Sequence, residues 1–263
     1  MKAIASRENA AYKALAKLAA SAAERRKRGL TVIEGEHLVR ACLEAGLPLA
    51  SLYMSRRASL AGAAAGLASL AAGVPPIVLA DALFDSVSGV ESPAGFLAVV
   101  PTPAGRPVSP DASFCLLLAD LQDPGNVGTL LRSAAAAGVQ HVLLSPGCAF
   151  AWSPKVLRAG QGAHFALNIV EGADLAAFMA SFRGKSVALA AEAKASLHET
   201  DLRGPVAFLV GNEGAGLSPE LERAATVRAS IPMPGRAESL NAGVAGSIAL
   251  FEAVRQREDF RLS

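Results

Sequence analysis

Val206–Val210, VAFLV, is an unbroken apolar run, and Gly211–Ser218, GNEGAGLS, follows it directly. A short apolar run closed by a glycine-rich turn and a helix start has the form of a buried parallel strand, whose carboxyl end opens onto a ligand crevice. Two further segments repeat that form. Asp123–Ala134, DPGNVGTLLRSA, comes after the apolar FCLLLADL of Phe114–Leu121, and Ile231–Ala242, IPMPGRAESLNA, continues the strand-like RASIPM of Arg228–Met233. Turns of this kind at strand ends in an open α/β sheet point to a bound small molecule.

Outward from these segments, strand and helix patterns alternate, which predicts parallel or mixed sheets covered by helices. The segment Pro101–Ser113, PTPAGRPVSPDAS, has four prolines, a glycine and no apolar period, so it breaks both helix and sheet. It divides the chain into a front domain at 1–103, a linker at 104–113 and a second domain at 114–263. In the front domain the pattern predicts a helix over Asn9–Ala22, strands at Thr31–Gly35, Ser51–Ser55, Pro76–Ala80 and Gly95–Val100, and helices at His37–Gly46 and near Leu60–Ala72. In the second it predicts strands at Phe114–Leu121, His141–Ser145, Ala166–Val170, Ser186–Glu192, Val206–Gly211 and Arg228–Met233. Helices are expected from Val127, near Lys155, from Ala173 and over Leu240–Arg257.

The 263 residues are 52% hydrophobic and 18% charged, ample for buried cores. A formal charge of +2 does not by itself indicate a polyanionic partner, yet the basic excess is concentrated in Lys2, Arg7, Lys13, Lys17 and Arg25–Arg28, against Glu8 and Glu24. Cys42, Cys115 and Cys148 are odd in number and widely separated, which argues against a disulfide framework or a metal cluster and fits a reducing cytoplasm. His37, His141, His164 and His198 share no metal spacing. Charges at Arg7, Glu8, Lys13 and Lys17 interrupt any signal-peptide core, so the expectation is a soluble, unprocessed protein with no membrane partner.

Each turn supports a plain reading beside a functional one. GNEGAGLS is either a turn in which Ser218 caps a helix opening at Pro219, or a loop whose backbone approaches a ligand closely, with Glu213 as its only charge. It does not complete G-x-G-x-x-G, because Pro219 stands at the last position, and no P-loop occurs in the chain. Asn126 can cap a helix that buries Val127, Leu130 and Leu131. Arg132 is then either a solvated surface residue or a bidentate phosphate ligand. Ser239 and Asn241 can cap the last helix, while the prolines and glycine around Met233 hold an extended loop with free amides.

In this order the three segments resemble the motifs of the SpoU (TrmH) branch of the SPOUT RNA methyltransferases: an Asn-x-Gly…Arg helix start, a Gly-Asn-Glu-Gly-x-Gly turn and an Ile-Pro-Met…Ser-Leu-Asn loop. The resemblance covers Leu116 to Arg255. The front domain, with Ser6, Asn9 and Lys13 on a first helix, Arg25, Lys27 and Arg28 before a strand, and VIEGEHLV at Val32–Val39, is similar to the family's substrate-binding module, which resembles small ribosomal RNA-binding proteins.

The resemblance implies a parallel-sheet catalytic domain with a deep trefoil knot, a rare exception to unthreaded topology, and a smaller α/β RNA-binding domain. It implies S-adenosylmethionine as cofactor, held by Leu209, Val210, Gly211, Asn212, Gly216, Ile231, Pro232, Met233 and Leu240, with no metal. Arg132, Asn126, Glu213, Ser239 and Asn241 are the implied catalytic set, and Asn9, Lys13, Arg25, Lys27 and Arg28 the implied RNA contacts. A homodimer is expected, in which an arginine serves a cofactor held by the partner chain. The implied reaction is methylation of a ribose 2′-hydroxyl in ribosomal RNA, with transfer RNA, a non-catalytic RNA-binding role, or another nucleotide-using enzyme as alternatives. One stretch departs from the family pattern: after Ser153–Ala159 this chain has Gly160 and Gln161 where many relatives carry Ser before Gly-Ala.

Overall fold

The computed structural model describes residues 2–61, 71 and 73–257. Contacts divide the chain into two compact units, Met1–Pro103 with Trp152–Phe165, and Ala104–Ala151 with Ala166–Ser263. Among the described residues no helix is long and apolar enough to cross a membrane.

The first unit contains β1 (Lys2–Ile4), α1 (Ala10–Ala20), α2 (Ala22–Arg28), β2 (Leu30–Glu34), α3 (Glu36–Glu44), β3 (Ser51–Ser55), α4 (Arg56–Leu60), β4 (Ile77–Leu79), α5 (Asp81–Val87) and β5 (Phe96–Pro101). Its mixed sheet runs β1-β4-β3-β5-β2, with β5 antiparallel to both neighbours. Tyr12, Leu15 and Leu18, spaced to share one face of α1, pack with Val32, Leu79, Phe84 and Leu97 into its core. The helix expected over Asn9–Ala22 is broken. Ser21 takes an extended conformation, and its hydroxyl accepts the Glu24 N–H to start α2. Most of the helix expected near Leu60–Ala72 lies outside the described residues.

The segment 152–165, which the sequence pattern left inside the second domain, belongs to the first unit. Its helix α6 (Pro154–Gly160) packs on β2. Arg158 donates to the Gly89 carbonyl at 3.0 Å, and His37 Nε2 lies 3.2 Å from the Gln161 carbonyl. Gln161, part of the departure from the family pattern, has φ +49° at the end of α6, and its side-chain amide turns back onto the Arg158 carbonyl.

The second unit contains β6 (Phe114–Leu118), α7 (Pro124–Ala136), β7 (His141–Leu144), β8 (Asn168–Glu171), α8 (Leu175–Ser181), β9 (Lys185–Leu189), β10 (Ala195–Ser196), β11 (Val206–Val210), α9 (Pro219–Ala224), β12 (Val227–Ser230) and α10 (Ala242–Gln256). Its seven strands are all parallel, in the order β10-β12-β9-β11-β6-β7-β8. The two central strands, β6 and β11, are buried at every residue, as a parallel sheet covered on both faces requires. Residues 104–113, expected as a linker, group with this unit, and Arg106 exchanges two backbone bonds with the Asn168 side chain at 2.8 and 2.9 Å. Burial raises the Cys42 thiol to about 11 and the Cys115 thiol to about 12, so both behave as inert core groups.

Candidate active site

The glycine turn leaves the carboxyl end of β11 as a closed loop. Asn212 N donates to Gly216 O at 2.9 Å and Gly216 N returns a bond to Asn212 O at 3.0 Å, while the Asn212 side chain accepts the Gly214 and Ala215 N–H groups. Two glycines are required. A Cβ on Gly211 would stand 2.5 Å from the Gly216 carbonyl carbon, and Gly216 itself has φ +69°. The plain reading of the segment holds: the Ser218 hydroxyl caps α9 by accepting the Leu221 N–H.

Beside this turn, in the second unit, lies a cavity of about 460 Å³, within the range of small-ligand sites. Val210, Ile231, Met233 and Leu240 give it apolar walls, and Gly211–Gly216 and Leu189–Glu192 line it from two adjacent strand ends. Its charged lining residues are Glu192 and Glu213 alone among the described residues. A cavity with carboxylates, exposed backbone groups and no basic side chain suits a cationic, partly apolar ligand.

Of the residues expected to hold the cofactor, Val210, Gly211, Asn212, Gly216, Ile231, Met233 and Leu240 line the cavity. Leu209 and Pro232 do not; Leu209 is fully buried in the sheet core. Glu213 and Ser239, expected as catalytic, line it too. Asn126 is linked to it through Glu213, whose carboxylate accepts the Asn126 side-chain N–H at 3.0 Å and the backbone N–H groups of Asp123 and Gln122 at 3.2 and 3.4 Å. Partial burial pushes the Glu213 carboxyl up, but these donors outweigh it and hold it below its ordinary value. Asn241 caps α10 through the Val244 N–H and stays outside the lining.

Two expectations are corrected. Asp123, not Asn126, caps α7: its carboxylate accepts the Asn126 N–H at 2.7 Å and Pro124 opens the helix, which frees the Asn126 side chain for Glu213. Arg25, expected as an exposed RNA contact, is buried. It is only 5% exposed, and its guanidinium donates to the Leu18 and Ala19 carbonyls, closing the end of α1; burial and the neighbouring Arg26 lower its pKa.

Asn9 caps α1, Lys13 pairs with Glu8 and Arg28 with Glu24, and Lys27 and Arg28 are exposed in the last turn of α2. Arg132 is exposed on α7 and does not line its own chain's cavity. Sequence reasoning missed Leu189–Glu192, Gly214, Ala215, Ala229, Ala242 and Ala245. The available signal was the strand end at Ser186–Glu192, which sits beside β11 in the sheet.

The SpoU rRNA methylase family model matches residues 113–251, and the model of the MRM3-like substrate binding domain matches residues 9–98. The chain is 32% identical over 231 residues to the 23S rRNA (guanosine(2553)-2′-O)-methyltransferase RlmP of Bacillus subtilis, covering 87% of this chain and 90% of that protein. It is similar to the crystal structure of an RNA 2′-O ribose methyltransferase with a TM-score of 0.81 at 31% identity, over 97% of this chain and 98% of the other. It is also similar to the AdoMet-bound rRNA methyltransferase of Sinorhizobium meliloti, with a TM-score of 0.83 at 28% identity and 97% of each chain covered.

A parallel sheet with this turn and cavity at its strand ends, together with these likenesses, defines an S-adenosylmethionine-dependent RNA methyltransferase. The chain belongs to the SpoU rRNA methylase family.

Proposed function

We propose that this protein methylates a ribose 2′-hydroxyl of large-subunit ribosomal RNA in the cytoplasm, working as a homodimer on the family's knotted scaffold. The observation that carries the reading is the closed turn Gly211–Gly216 beside a cavity whose charges are carboxylates only. S-adenosylmethionine supplies an already activated methyl group on a sulfonium, so the protein's part is placement and removal of one proton. Holding two reactants in register accounts for roughly 7–11 kcal/mol of a barrier.

Val210, Ile231, Met233 and Leu240 exclude water around the bound donor. The Asn126–Glu213 bond fixes the turn against the start of α7, and Ser239 orients the target nucleotide. Pro232 and Leu209 support the walls from behind. Arg132 binds the target phosphate; a guanidinium is a poor free base, so it assists deprotonation through that phosphate. Lys27 and Arg28 anchor the RNA.

Dimerisation is supported by an apolar stripe on α10, where Val244 and Phe251 are 46% and 45% exposed and Ile248 stands between them at helical spacing. In this reading a second copy covers the stripe and each copy's Arg132 serves the other's cavity.

The test is transfer of labelled methyl from S-adenosylmethionine to ribosomal RNA from cells lacking this protein, followed by mapping of ribose methylation. Label at a single large-subunit ribose is expected. Label confined to transfer RNA, or cofactor binding without transfer to naked or assembling ribosomal RNA, sinks the proposal.

A further inference from the structure

Glu213 and Glu192 are the charged groups of the cavity lining, and they differ in what they hold. Glu213 is committed to the protein, accepting the Asn126 amide and the Asp123 and Gln122 N–H groups. The Glu192 carboxylate is exposed and takes part in no hydrogen bond or ion pair among the described residues. It stands in the turn after β9, which Ala193 N closes onto Ala190 O at 3.1 Å and Ala190 N ties to Ala229 O at 3.1 Å. Ala190 and Ala229 are both cavity wall. An exposed carboxylate without a partner, on a braced turn that lines a cavity suited to a cation, is available as a recognition element.

S-adenosylmethionine has two cations, the sulfonium and the α-ammonium. Transfer cancels the sulfonium charge, so an anion beside it stabilises the reactant more than the transition state and slows the reaction. The ammonium keeps its charge throughout, and an anion there assists binding with no such penalty. Sheet order agrees: β9 and β6 flank β11 on opposite sides, so Glu192 and Asn126 lie on opposite sides of the glycine turn. Resting on the proposed function above, we infer that Glu192 is a cofactor-specificity residue, pairing with the α-ammonium of the donor's amino-acid end.

Calorimetric titration of the full-length protein with three ligands tests this without any RNA. S-adenosylmethionine and S-adenosylhomocysteine share the ammonium and differ in the sulfonium; 5′-methylthioadenosine keeps the nucleoside and lacks the amino acid. Glu192→Gln is expected to weaken the first two equally, about fivefold, as an exposed ion pair does, and to leave the third unchanged. Glu192→Asp is expected to recover part of the loss. Weakening of S-adenosylmethionine alone, equal weakening of all three, or no change in any overturns the inference. Failure of the unaltered protein to bind the first two would instead refute the proposed function.

Discussion

The carboxylate of Glu213 accepts the side-chain amide of Asn126 at 3.0 Å across 87 residues of sequence, joining the turn after β11 to the first turn of α7. If this bond sets the turn's position, the residues act as a unit. Asn126→Ala and Glu213→Gln are each expected to lower cofactor affinity roughly tenfold, and the double variant to be little worse than either, a coupling of about 1 kcal/mol or more. Additive losses would show that the two act separately.

Gly211→Ala tests the closed loop. The new methyl meets the backbone of Gly216 and Leu217, which no rotamer change relieves. Expected is loss of cofactor binding with a stability cost of about 1–3 kcal/mol, typical of overpacking, read by calorimetry and denaturant titration. Gly214→Ala, where an added Cβ meets only Asn212 Oδ1 at 3.8 Å, is the control and is expected to bind nearly normally.

What the sequence made legible follows from which residues carry a pattern. VAFLV and FCLLL are continuous apolar runs because β11 and β6 are covered on both faces, and the turns after them stand out by composition. Leu189–Ala191, Ala229 and Ala245 line the same cavity but are small or apolar residues in an alanine-rich chain, where composition carries no contrast. Arg25 reads like its basic neighbours, and only the packing of α1 against α2 separates it from them. The membership of 152–165 in the first unit is a long-range fact: Pro154–Gly160 reads as a helix either way, and its partner β2 lies far away in sequence. Strand β1 is three residues long, too short for a period to show.

Glu252 on α10 is 7% exposed and accepts two bonds from Arg255, at 2.9 and 2.7 Å, and one from Gln256 at 2.8 Å, with His198 Nδ1 at 3.3 Å. The Arg255 bonds lead in holding its pKa down to about 2; burial opposes them, and Gln256 and His198 add to them. A carboxyl depressed in the folded state contributes stability that is complete above its unfolded pKa of about 4.3 and is lost as pH falls towards the folded value. The contribution is about 2–3 kcal/mol. Unfolding midpoints are expected to fall steeply between about pH 4.5 and pH 2 in the native protein, and to be flatter there in Glu252→Gln, which starts less stable at neutral pH. Parallel curves would remove Glu252 as the cause.

The basic residues of α2 separate by salt. Lys27→Ala and Arg28→Ala are expected to reduce the slope of log affinity for structured RNA against log salt by about one each, leaving stability nearly unchanged. Arg25→Ala is expected to destabilise the first unit by about 1–3 kcal/mol, since it uncaps the Leu18 and Ala19 carbonyls, and to leave the salt slope alone. A change of slope with Arg25→Ala would restore it as an RNA contact.

Arg132 decides between one chain and two. Exposed on α7 and absent from its own chain's cavity lining, it is proposed to serve the cavity of a second copy. Arg132→Ala is expected to abolish transfer while leaving cofactor affinity nearly intact, and Gly211→Ala to abolish both. Mixed dimers separate the geometries. In a pair with one chain carrying each substitution, a trans arrangement leaves one complete site, built from the intact cavity of the first chain and the intact Arg132 of the second. An arrangement within one chain leaves none. Co-purified, differently tagged heterodimers are therefore expected to recover about half the activity of the unaltered dimer, and heterodimers as inactive as either parent would falsify the assignment of Arg132 to the partner's cavity.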